Sequence, residues 1–348
     1  MNENTKKWLP VVAIAILSVI AACSSPICLW MDNSNTLTAI QGQMFDIAYQ
    51  IRQGFLAYTE VDGHYGPVVY ELIGLGYLPT TTHLVHAIEE MVLIFVSMLT
   101  LYHTARFYTS EVMSVVCAAL VIMIGWNTFT TAGAEEIIFP LLALCGYHFI
   151  ALLRNGYTAG HHIYLIAIEL GLVFFAQPGY IFIWVFVLAF MAIHFKQQGL
   201  EKDQYKRLWA SMFEGLITVA IPMLIYLWFF HNIGGFFKSV VGYNFSNMGT
   251  LGGGLSIVCG TPAIILLAVV IFGIFFNQIE AGTNAEFVAW LAFAVVVLFV
   301  VAFQGDNLAS FQLLTRVIYI VPLAIIGSLL DKVLHTGGPV EPQQEQQA

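Results

Sequence analysis

Asp46, Arg52, Glu60, Asp62, His64 and Tyr65 crowd into one polar stretch, Ile40–Leu72, of an otherwise apolar chain. Carboxylates, an imidazole and a phenol are the side chains that give and take protons in general acid–base catalysis. Solubility does not require acids here, because the stretch closely follows a membrane-length apolar run. It reads as the floor of a reaction site at a membrane surface, with the remainder of the chain as its scaffold.

Other candidates lie further along. Glu135 and Glu136 open an apolar run, where a helix dipole favours acids; one of the two exceeds what capping needs, which suggests a binding role. Arg316 falls inside the last apolar run, and a charge there costs about 2.5–3.5 kcal/mol on insertion scales, so it calls for a partner or a ligand. Glu89 or Glu90 is the structural partner that the sequence offers. His83, His86 and Glu90 share a helix face, a spacing compatible with a divalent cation, although hydrogen-bonding histidines are the plainer reading. Glu169 stands alone in mid-run, where it can stay protonated and bond a neighbouring helix. His148, His161, His162 and His194 fall near run ends and read as interfacial. Gly252-Gly253-Gly254 has no preceding strand and reads as slack rather than a phosphate loop. Tyr58, Tyr65, Tyr70, Trp126 and Tyr243 could stack on sugar rings, although interfacial belts use the same residues.

The elements that must position these groups are membrane spans. Of 348 residues, 59% are hydrophobic and 9% charged, and the mean hydropathy is +0.81. Soluble domains carry roughly 25% charged residues, so lipid must solvate much of this surface and the class is an all-α polytopic bundle. The net charge of −9 offers no basic footprint for nucleic acid. Cys23, Cys28, Cys117, Cys145 and Cys259 show no metal-ligand spacing and read as small packers.

Runs near the roughly 20 apolar residues that a span requires occur at about 9–30, 84–105, 112–129, 137–153, 162–176, 178–195, 210–230, 256–276, 285–303 and 309–330. Gln177-Pro178-Gly179 predicts a tight turn between the fifth and sixth. With the N-terminus inside, nine of the twelve Lys and Arg fall on inside segments: Lys6, Lys7, Arg106, Arg154, Lys196, Lys202, Lys206, Arg207 and Lys332. The expectation is about ten spans over 1–332, both termini cytoplasmic, an outside loop at 31–83 and a disordered tail at 333–348. Ile20-Ala21-Ala22-Cys23 is similar to a lipoprotein cleavage site, but the apolar run continues through Cys28-Leu29-Trp30, which favours an uncleaved helix.

Met44, Ile47, Ala48 and Ile51 recur at helical spacing and predict an interfacial helix ending at Gly54. Pro67 predicts the start of a second helix through Leu72.

Gly54-Phe55-Leu56-Ala57-Tyr58-Thr59-Glu60, followed by His64-Tyr65-Gly66-Pro67-Val68-Val69-Tyr70, resembles a pattern of the GT-C superfamily of membrane glycosyltransferases. The similar branch holds the protein O-mannosyltransferases and the lipid A aminoarabinose transferase (glycosyltransferase 39/83-like). Weaker echoes are Gly133-Ala134-Glu135-Glu136, Tyr243-Asn244-Phe245, and Arg316 with Tyr319 and Pro322. The resemblance implies a GT-C-like fold and transfer of a sugar, with inversion, from a polyprenyl-phosphate donor to a cell-surface glycan or lipid acceptor. Such a displacement requires a carboxylate to deprotonate the acceptor and cations to hold the departing phosphate. The resemblance assigns Asp46 as base and places Glu60 or Asp62 beside the acceptor or a metal. Arg316 and Lys238 then face the phosphate, and Arg52, His64, Tyr65, Glu135, Glu136 and Asn244 line the substrate. Members of the family usually carry an acid about a dozen positions before the glycine matching Gly54, where Ile40 and Gln41 stand in this chain; Asp46 is nearer and Asp32 further. Either Asp46 or Asp32 takes that role, or the chain is an inactive assembly partner. A lipid-linked sugar transporter or flippase is the alternative of a different class.

Overall fold

The computed structural model describes residues 3–24, 39–77, 84–123, 133–156, 160–249, 283–304 and 312–334, with positions 268 and 271. The described chain is helical, and its one β pairing is an isolated bridge between Ala57 and Val61. The helices are α1 (Glu3–Cys23), α2 (Ala39–Arg52), α3 (Pro67–Leu75), α4 (Leu84–Arg106), α5 (Glu111–Met123), α6 (Ala134–Asn155), α7 (His161–Phe174), α8 (Ile181–Gln197), α9 (Lys202–Phe229), α10 (Asn284–Phe303) and α11 (Ile320–Leu334). Pro178–Tyr180 forms a 3-10 turn ahead of α8, and Thr315–Tyr319 forms another ahead of α11.

Among the described residues, six helices are long and apolar enough to cross a membrane: Leu84–Arg106, Ala134–Asn155, Pro178–Gln197, Lys202–Phe229, Ala285–Phe303 and Gln312–Val333. Trp8–Cys23, Glu111–Met123 and His161–Phe174 are shorter apolar helices. Apart from positions 268 and 271, the run at 256–276 lies outside the described residues, as does the tail beyond Leu334. Several long apolar helices fit a membrane protein, and the surface agrees. Trp8, Ile16 and Ile20 of α1 and Phe213, Ile221, Ile225 and Trp228 of α9 are all exposed, which water would penalise and lipid does not.

Helix α6 is the axis of the bundle. Its apolar window is 78% buried, against 17% for the peripheral α9, and it packs on α4, α7, α8 and α10. Gly146 lets α6 approach the Trp290 and Phe293 rings of α10 closely. At one end of the bundle, Arg154 Nε donates to Glu286 Oε1 at 2.9 Å and stacks over Phe107 and Tyr108, while Asp331 accepts from Thr109 Oγ1 at 2.7 Å. At the other, Gln304 donates to the Gly179 carbonyl at 2.9 Å, and Gly249 N to the Phe303 carbonyl at 2.7 Å. The second end carries residues 54–77.

Both helices expected in that first loop are present. Met44, Ile47 and Ala48 of α2 are buried, and Gly54 follows the helix at φ 99°. They do more than coat the surface. Together with Val69, Tyr70 and Ile73 of α3 they pack on Ala134, Ile137 and Ala176, so the loop caps the starts and ends of α6 and α7.

Candidate functional site

Three strands of contact hold the loop to the bundle and bring polar groups together. Gly66 N donates to the Ala176 carbonyl at 2.7 Å and Val68 N to the Phe175 carbonyl at 3.2 Å, which pins the start of α3 to the end of α7. The His64 ring lies 3.8 Å from that of Tyr243, nearly parallel at 6°, and Asn244 Nδ2 donates to the His64 carbonyl at 3.2 Å. Lastly, Tyr58 holds the loop from within. It sits at φ 62°, outside the comfortable range of a non-glycine residue, and its hydroxyl donates to the Tyr65 carbonyl at 2.9 Å.

The Tyr65 ring is thereby fixed near the start of α6. Burial, then the charges of Glu135, Tyr70, Tyr243 and Glu136, push its hydroxyl well above the usual phenol range. Glu135 and Tyr65 also act electrostatically on Tyr180, in the turn before α8. Glu136, 4% exposed, is an acid whose charge acts on Arg316, itself 1% exposed, together with Tyr319. Arg316 lies within the 3-10 stretch Thr315–Tyr319, a tight segment of the kind that often marks a functional break in a helix. Tyr65 thus lies within electrostatic reach of Glu135 and Glu136, Tyr180 of Glu135, and Arg316 of Glu136 and Tyr319, with His64, Tyr243 and Asn244 beside the loop.

Other expected residues lie apart from these or serve local structure. Asp46 is on the exposed face of α2, accepts from Gln50 Nε2 at 2.8 Å and acts on Tyr77. The Glu60 carboxylate accepts from Leu56 N at 2.7 Å, closing its own turn. Asp62 is exposed near Tyr70, and Lys238 is exposed on the π-helical segment Phe236–Gly242. Arg52 lies against Gly74 and acts on Tyr226, whose hydroxyl donates to Glu71. Asp32, His83, Trp126 and Gly252–Gly254 lie outside the described residues.

Among the described residues, no three His, Cys, Asp or Glu stand close enough to hold a metal ion. His86 Nε2 is 3.0 Å from the Ile73 carbonyl, a bond between α4 and α3. Glu169 bonds neighbouring helices, as expected of it: Trp184 Nε1 donates to its Oε2 at 3.0 Å, and His148 Nε2 stands 3.3 Å from Oε1. One expectation is corrected: His148 and His162, read as interfacial, are buried, with rings 4.7 Å apart.

No family model, no curated protein and no solved structure matches this chain. The site therefore rests on its own geometry. Tyr180, Glu71 and Tyr226 were missed by sequence reasoning, because they are ordinary interfacial aromatics or acids until their neighbours are known; Tyr319 was named, beside Arg316.

The buried phenols give the loop a pH limit. Burial pushes the Tyr70 and Tyr77 hydroxyls up to about 12, and Tyr58 and Tyr65 also lie well above the usual range. A raised phenol favours the folded loop fully below the ordinary value of about 10. That contribution fades as pH climbs toward the folded values, because the unfolded loop gives up its protons first. Residues 54–77 are expected to gain amide exchange between pH about 10 and 12, in step with tyrosinate absorbance, while α6 stays protected after correction for intrinsic exchange. Equal loosening of α6 would refute this.

Proposed function

We propose that this chain is a membrane glycosyltransferase of GT-C type, with about ten spans and both termini in the cytoplasm. It would move a sugar from a polyprenyl-phosphate donor to a cell-surface glycan or lipid acceptor on the outer face of the cytoplasmic membrane. The observation that carries the reading is the electrostatic nearness of Glu135 and Glu136 to Tyr65, and of buried Glu136 to buried Arg316, at the loop that resembles the family. The seven numbered helix-end cations Arg106, Arg154, Lys196, Lys202, Lys206, Arg207 and Lys332 sort to the opposite end, which supports a cytoplasmic assignment for that end.

In this reading Arg316 holds the departing phosphate, and tyrosines beside it stack on sugar. Two carboxylates compete for the role of base. Asp46 is the one assigned from the resemblance. Glu135 is the other: it is half-buried, acts on Tyr65, and is adjacent in sequence to Glu136, whose charge acts on Arg316. Purified protein assayed with a panel of polyprenyl-phosphate sugars tests the activity itself; no transfer with any donor leaves the inactive partner that the Gln41 departure allows. Within an active enzyme, Glu135→Gln is expected to lower kcat by about 10²–10⁴ with little change in thermal stability, and Asp46→Asn to leave most activity. The reverse ranking would return the base to Asp46.

One observation favours a second reading, a lipid-linked sugar transporter: the buried His148–Glu169 pair lies deep among the spans, as charge-coupled transport requires. Movement of a labelled lipid-linked sugar across proteoliposomes without transfer to an acceptor would select it.

A further inference from the structure

At the bundle end away from the loop, helices α7, α8 and α9 enclose a cavity of about 290 Å³. Leu170, Val185, Phe195, Tyr205, Trp209 and Leu216 mark its extent. Its walls present no polar group for a sugar or nucleotide. Tyr205 is the lone hydroxyl among the lining residues, and it already donates to the Ala192 carbonyl at 3.2 Å. The cavity opens beside α9, the helix with the least buried window of the spans, so its natural source of occupants is the bilayer.

Length and charge narrow the occupant. Tyr205 and Leu216 are eleven residues apart on α9, about 16 Å at 1.5 Å per residue. One leaflet contributes roughly half of a hydrocarbon core about 30 Å thick. The cavity therefore has the reach of a single acyl chain running from headgroup level toward the midplane. Beside its Phe195 and Tyr205 end, the turn between α8 and α9 carries exposed Lys196, Lys202, Lys206 and Arg207 against the acids Glu201 and Asp203. Only Lys206 is held by one of those acids, Asp203, at 3.2 Å among the described ion pairs. Trp209 is half-exposed beside this turn, the setting in which tryptophan anchors at headgroup depth.

We propose that this cavity is a specific site for an anionic glycerophospholipid. One acyl chain lies between α7, α8 and α9, and the phosphate headgroup rests on Lys196, Lys206 and Arg207. The site is separate from the proposed donor site, because α8 begins at the loop-bearing end and delivers its last turn to the cavity at the other.

The test uses full-length protein, delipidated in detergent and titrated with dioleoylphosphatidylglycerol or dioleoylphosphatidylcholine, bound lipid being counted by native mass spectrometry. Phosphatidylglycerol is expected to saturate at one tight copy and phosphatidylcholine to bind weakly. Lys196→Ala combined with Arg207→Ala should weaken the tight copy roughly thirtyfold, as two headgroup cations are lost. Ala189→Phe should fill the cavity and abolish tight binding of the same lipid. The rim variants alter only exposed side chains, so they report even if the filled variant does not fold. Equal binding of the two lipids, or a tight copy indifferent to the rim variants, would overturn the proposal. Preference for undecaprenyl phosphate over phosphatidylglycerol would also overturn it, assigning the cavity to a donor tail.

Discussion

Arg316→Met is expected to abolish sugar transfer and to cost the fold about 3–5 kcal/mol, the usual penalty for removing one member of a buried charge pair. Arg316 and Glu136 are 1% and 4% exposed, and the charge of Glu136 acts on the guanidinium. Taking away the cation leaves the carboxylate in a medium that solvates it poorly. Glu136→Leu alone should destabilise similarly, by stranding the cation. The double variant removes both charges, and replacing such a pair with apolar groups is often neutral. Its melting temperature in detergent should therefore recover most of the loss, a coupling that independent sites would not show. Transfer should not recover, because the phosphate has lost its cation. A double variant as unstable as the sum of the singles would refute the pairing. One that is stable and fully active would confine Arg316 to structure and remove the clamp from the proposed mechanism.

That pairing also shows where sequence reading stops. A charge inside an apolar run is conspicuous, so Arg316 was legible as a residue in need of a partner. Which acid lies near it was not, because Glu89, Glu90 and Glu136 look alike until the bundle decides that α6 borders the Thr315–Tyr319 segment. The same limit explains Glu169 and His148, which sit on different helices that happen to be neighbours. Local periodicity was more informative. Met44, Ile47, Ala48 and Ile51 mark the buried side of α2, and Pro67 marks the first turn of α3, because amphipathic spacing and a fixed proline φ act within a few residues. Proximity in sequence did not reveal local settings: Asp46 and Glu60 flank the same loop as Tyr65, yet the α2 face exposes one and a backbone N–H bonds the other.

Gly66→Ala is expected to detach the first loop while leaving the bundle folded. Gly66 has an extended backbone, φ −78° and ψ 169°, so alanine meets no conformational penalty there. The obstacle is space: an added Cβ would collide with the Phe175 carbonyl, a backbone atom at the end of α7 that no rotamer change can move. Relief requires α3 to back away, which breaks the bonds from Gly66 N to Ala176 and from Val68 N to Phe175. Overpacking costs about 1–3 kcal/mol and each lost bond about 1 kcal/mol, opposed by the apolar cluster of α2 and α3 and by the contacts of His64 with Tyr243 and Asn244. Amide exchange across residues 54–77 should rise, α4 to α8 should keep their protection, and transfer should fall because Tyr65 leaves the neighbourhood of Glu135. Gly42→Ala supplies the contrast within the same loop. Its Cβ would meet nothing within 4 Å on α2, so the change should be neutral or stabilise the helix by up to about 1 kcal/mol. Similar exchange in both variants would mean that the contact with Phe175 does not hold the loop, and the site built on that anchorage would have to be abandoned.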